Sequence, residues 1–127
     1  MFFKKKKRKE KDISVKSEPY SEEELSELIN ESKKVIVSAE GEELIKHLNT
    51  LGELYYKLNK NDQAIKYYEE SIKENKSLGK AYTGLMKLYN LKRQEGVNEK
   101  NNEKIQYYLD KIDELTKLSK DVMRGRI

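Results

Sequence analysis

The sequence predicts an all-α fold of about five helices paired into hairpins. Three observations carry this. Apolar residues recur at three- and four-residue spacing through most of the chain after residue 21, the period of a helix with one buried side. The single proline is Pro19, so no later residue interrupts a helix by ring constraint. Finally, the pattern repeats. Leu48, Leu51 and Tyr55 return as Tyr82, Leu85 and Tyr89, each 34 residues on, while Ile65, Tyr67, Tyr68 and Ile72 return as Ile105, Tyr107, Tyr108 and Ile112, each 40 residues on. Two offsets, each shared by several residues, describe two copies of one helix–turn–helix unit. The second copy is six residues longer, and the extra residues are expected in its inter-helix loop, near 94–102.

The elements follow in order. Residues 1–20 are charged and hold few apolar side chains, too few to offset the entropy of ordering them, so a disordered basic tail is expected there. Residues 21–127 form the helical domain. Ser21 followed by Glu24 is a capping box, in which hydroxyl and carboxylate each satisfy one orphan amide. Glu22, Glu23 and Glu24 suit the positive end of the helix dipole. A first helix is expected from Glu22 to about Ser38 with Leu25, Leu28, Ile29, Ser32 and Ile36 along one side. Its β-branched end at Val35, Ile36 and Val37 is a weak helix former.

The second helix is expected from about Glu42 to Leu58, with Leu44, Ile45, Leu48, Leu51, Tyr55 and Leu58 as its stripe. Asn59, Lys60 and Asn61 make the turn, and Asp62 is placed to cap the third helix, which runs to about Asn75. Ala64, Ile65, Tyr68, Ser71 and Ile72 face inward on it. A fourth helix is expected from about Leu78 to Leu91, followed by a loop with Gly96 and Asn98. The fifth starts near Asn102 and reaches about Met123, with Ile105, Tyr108, Leu109, Ile112, Leu115 and Val122 on its stripe. Gly52, Ala64 and Ser71 are small enough to let neighbouring helices approach closely.

Leu48-x-x-Leu51-Gly52-x-x-Tyr55, followed by Ala64-x-x-x-Tyr68, resembles the tetratricopeptide repeat, and the 34-residue offset equals that family's period. The resemblance covers residues 45–115, as repeats of about 45–78 and 79–115. It implies a right-handed stack of antiparallel helical hairpins, with residues 22–38 and the C-terminal helix capping its ends. The second repeat departs from the pattern: Met86, Lys104 and Lys111 stand where Gly52, Ala64 and Ser71 stand in the first.

By the same resemblance, the first helix of each repeat lines a groove that binds a partner peptide or helix. The groove residues would be Lys46, Asn49, Glu53, Tyr56 and Lys57, then Lys80, Thr83, Lys87 and Asn90. Some members of the family clamp a terminal carboxylate with lysines and amides. Here Glu53 stands where an amide is needed and Gly84 offers no side chain, which argues against that use. The blander reading of all nine is a solvated polar helix face.

Composition bounds the remaining function classes. With no cysteine, a disulfide framework, a thiol nucleophile and a thiolate metal site are excluded. His47 is the only histidine, with no second ligand at metal spacing, and is expected on the surface. No glycine-rich phosphate loop, nucleophile elbow or paired carboxylates stand out. A non-enzymatic chain without cofactor or metal is the expectation, as a protein–protein interaction adaptor. No apolar run approaches the roughly 20 residues that span a bilayer, and the charged N-terminus lacks the apolar core of a secretory signal. A cytoplasmic protein is expected, or one peripheral at the inner face of the membrane.

Net charge is +4, but residues 1–12 alone hold seven basic and two acidic side chains. The basic character belongs to the tail. Lys4, Lys5, Lys6, Lys7, Arg8 and Lys9 suit an anionic membrane surface, with Phe2 and Phe3 placed to dip into it. Nucleic acid phosphates are the alternative ligand, and a ribosome-associated factor the matching function. It is disfavoured because the folded part adds no basic stripe. A solubilising end is the bland reading. A self-assembling subunit, a homo-oligomer hiding the open end of the stack, is a third class. The Tyr55-Tyr56, Tyr67-Tyr68 and Tyr107-Tyr108 pairs offer a base-stacking platform in principle, but neighbours on a helix diverge by about 100°. One ring of each pair is therefore expected in the core.

Overall fold

The computed structural model describes residues 19–74 and 78–125. The tail readings on Phe2, Phe3 and Lys4 to Lys9 lie outside the described residues. Among those described, every regular element is a helix: α1 Glu22–Ile36, α2 Gly41–Lys57, α3 Asn61–Glu74, α4 Gly79–Asn98 and α5 Asn102–Met123. Each packs on the next along the chain, and α2 also touches α4.

The capping box forms as expected. Glu24 N–H donates to Ser21 Oγ at 3.1 Å, and Ser21 N–H donates to Glu24 Oε1 at 2.9 Å. α1 ends at Ile36, with Val37 left 86% exposed. Tyr20, assigned to the tail, is half-buried and packs on the core. Asp62 lies one residue inside the start of α3, and its carboxylate meets Lys92 Nζ at 2.9 Å.

The inserted residues lengthen a helix instead of forming a loop. The turn after α2 has Asn59 at φ 62°, with Lys60 N–H donating to Tyr55 O at 2.9 Å. The turn after α4 repeats it: Lys100 has φ 57°, and Asn101 N–H donates to Gly96 O at 2.9 Å. This is the left-handed closure that commonly ends helices. Lys60 corresponds to Asn101 at an offset of 41 residues, seven more than 34, so the turn falls seven residues later in the second repeat, and the apolar pattern of α5, at an offset of 40, follows it one residue sooner. Seven residues are close to two helical turns, so the addition preserves the phase of the buried face. Leu91, Lys92, Arg93, Gln94 and Glu95 are good helix formers. Gly96 is buried where α5 approaches, and a Cβ there would stand 3.0 Å from Ile105 Cγ1.

The core follows the number of neighbours each helix has. α2 packs on α1, α3 and α4. It therefore buries more than its predicted stripe, adding Leu54 and Thr50. His47, expected on the surface, is only 6% exposed for the same reason. α5 packs closely on α4 alone. Of its predicted stripe only Leu115 is buried; Leu109 is 43% exposed. Lys104 and Lys111, the departures of the second repeat, form ion pairs at the edge of the core. Lys104 meets Glu95 and Glu99, and Lys111 meets Glu69 at 3.4 Å. No helix is long and apolar enough to cross a membrane among the described residues.

Candidate functional site: a cleft between α2 and α4

A ring from α3 sets the shape of the site. Tyr68 is buried between α2 and α4, with Gly52 on one side and Gly84 on the other. A Cβ at Gly52 would lie 2.7 Å from Tyr68 Cε1, and one at Gly84 would lie 2.6 Å from Cε2. Both distances are below van der Waals contact, so the two helices can close on the ring only because neither carries a side chain there. The ring cannot move away from one glycine without striking the other.

Above Tyr68 opens a cleft of about 760 Å³. Glu53, Tyr56 and Lys57 come from the α2 wall; Gly79, Lys80, Thr83, Gly84, Lys87 and Leu88 come from α4. Six of the nine predicted groove residues are thus brought together. Lys46, Asn49 and Asn90 are not among its lining. Asn49 is half-buried, and Asn90 turns its amide to its own helix, donating to Met86 O at 2.9 Å. Tyr68, Gly79, Gly84 and Leu88 complete the lining; of these only Gly84 was weighed as a groove position from the sequence, and only as a place without a side chain.

The cleft is apolar below and cationic at its rim. Lys87 Nζ stands 4.7 Å from the Tyr56 ring centroid, a cation–π distance. Lys57 and Lys80 are exposed, and Glu53 is the single acidic residue of the lining. This differs from the lysines that tie the fold together, since Lys92, Lys104 and Lys111 each meet a carboxylate. The Tyr68 hydroxyl is pushed up to about 12, by burial first, then by the Glu53 carboxylate and the Tyr56 hydroxyl. It stays protonated, and able to donate, throughout the physiological range.

The tyrosine pairs divide as their helical angles require. Tyr55 and Tyr68 are buried while Tyr56 and Tyr67 face outward, half-buried. Tyr55 and Tyr67 stack at 5.5 Å between centroids and 2° between planes. On α5, Tyr107 is 55% exposed and meets Tyr108 edge-on. These rings fill gaps between helices and do not form one continuous platform. Among the described residues no group of three or more His, Asp or Glu side chains is gathered as a metal site. No protein-family model, no curated protein and no solved structure matches this chain.

Proposed function

We propose that this chain is a non-enzymatic adaptor, a short tetratricopeptide-like stack that holds a partner peptide or helix in the cleft between α2 and α4. The observation that carries the reading is the cleft itself. It collects six residues chosen as groove residues from the repeat pattern, and Gly84 and the buried Tyr68 ring lie beneath them. A volume of about 760 Å³ falls within the range of specific ligand sites. In this reading the basic run Lys4 to Lys9 adds a second, nonspecific attachment to an anionic surface.

The test is affinity capture from native lysate by the wild-type chain and by a Lys57→Glu, Lys80→Glu, Lys87→Glu variant. A protein retained by the wild type and lost by the variant, with melting temperature unchanged, is the expected result. Equal retention of the same proteins by both would overturn the groove assignment.

A further inference from the structure

We infer that the partner segment is an amphipathic helix carrying two acidic residues seven positions apart, with an apolar residue midway between them. The inference rests on the groove reading and specifies its ligand. Lys80, Gly84 and Lys87 fall at relative positions zero, four and seven on α4, so all three share one side of that helix. The two lysines are separated by about 10 Å along the axis. A second helix laid alongside at a shallow crossing angle has the same rise, so acids seven residues apart on it meet the two lysines in register.

Between the lysines the cleft floor changes character. Gly84 presents no side chain, an edge of the Tyr68 ring fills the place its Cβ would take, and Leu88 belongs to the same lining. An apolar side chain placed midway between the two acids enters there. Glu53 on the opposite wall repels an acid on that flank. The acidic edge of the incoming helix is therefore the one facing α4, which fixes its rotation about its own axis. Because the lysines are spread along two turns instead of converging on one point, the site suits acidic side chains and does not require a terminal carboxylate.

The test uses the full chain labelled with nitrogen-15 and three end-blocked helical peptides as probes. The first carries two glutamates seven apart with a leucine midway. The second has the same composition with the leucine on the opposite face. The third replaces both glutamates with lysine. The first peptide is expected to shift the amide resonances of Lys80, Thr83, Gly84 and Lys87. Its affinity should fall with added salt and drop about tenfold in a Lys80→Glu, Lys87→Glu variant. The other two peptides should bind at least about tenfold more weakly.

Equal binding of the lysine peptide, or of the out-of-phase peptide, at the same amides would overturn the inference and leave the groove reading standing. Shifts at these amides from an RNA oligomer of matching charge would also overturn it. No shift from any peptide overturns the inference; only unchanged lysate capture by the triple variant would take the groove with it. If the double variant unfolds, the comparison of the three peptides on the wild-type chain still decides.

Discussion

Tyr68 does two jobs at once, and both follow from the glycines around it. Its ring is packing between α2 and α4 and also the floor of the cleft. In an open helix, replacing glycine by alanine gains about 1 kcal/mol. At Gly52 the new methyl would meet the ring at 2.7 Å, and Gly84 blocks the ring's retreat. Overpacking of this kind costs about 1–3 kcal/mol, so Gly52→Ala should lower stability, and Gly52→Leu should lower it further. The melting temperature checks the sign. Adding Tyr68→Leu should make the pair of changes less costly than their sum, because the second removes the clash created by the first.

The same ring predicts a pH dependence. An unfolded tyrosine ionises near pH 10, whereas Tyr68 in the fold is pushed up to about 12. The neutral form is therefore favoured by folding. Its contribution is fully present below pH 10 and is lost as pH rises from there through about 12. Two units correspond to about 2–3 kcal/mol. Tyr89 is shifted in the same direction by burial and by its hydrogen bond to Glu69. Denaturant unfolding followed from pH 8 upward should show a plateau and then a fall in that window, smaller in Tyr68→Phe. Tyrosinate absorbance should report Tyr68 and Tyr89 ionising together with unfolding.

At the scale of elements, the helices were legible because their start signals are local. Ser21 with Glu24, the Asn59 turn and the Asn101 side chain, which accepts from Lys104 N–H at 3.1 Å, all lie within a few residues of the ends they set. Ser21→Ala should cost about 1 kcal/mol. The loss should appear as faster hydrogen exchange confined to α1, since that helix packs only on α2. What could not be read was length. Gly96 and Asn98 carry loop-forming tendencies, and nothing local reveals that Ile105 fills the space above Gly96. That contact joins residues on two different helices. His47 and Leu54 were misjudged or missed for a related reason: a single stripe describes a helix with one neighbour, and α2 has three. Likewise six of the nine residues named by repeat position line the cleft, but Tyr68 as its floor was not readable. Its role depends on Gly52 and Gly84, 32 positions apart, meeting across one ring.

At the scale of the whole molecule, charge is sorted by place. Residues 13–127 are nearly neutral, because the excess lies in residues 1–12. Within the helices, lysines near the core edge meet carboxylates, while those around the cleft face solvent. In the proposed reading, such a surface would steer an acidic partner toward one face without making the whole molecule bind anions. Association by the cleft should therefore weaken with salt only modestly, by a few ionic contacts, whereas binding through the tail should fall steeply.

The most direct measurement of the central proposal is site-specific photo-crosslinking. Thr83 lines the cleft and is exposed, and Val37 is exposed at the end of α1, outside that lining. A photoreactive phenylalanine analogue would replace each in turn in the full chain, followed by irradiation in native lysate. A discrete adduct from position 83, absent from position 37 and lost with Lys80→Glu and Lys87→Glu, is the predicted result. An adduct formed equally from both positions, or from position 37 alone, would contradict the assignment of partner binding to the cleft.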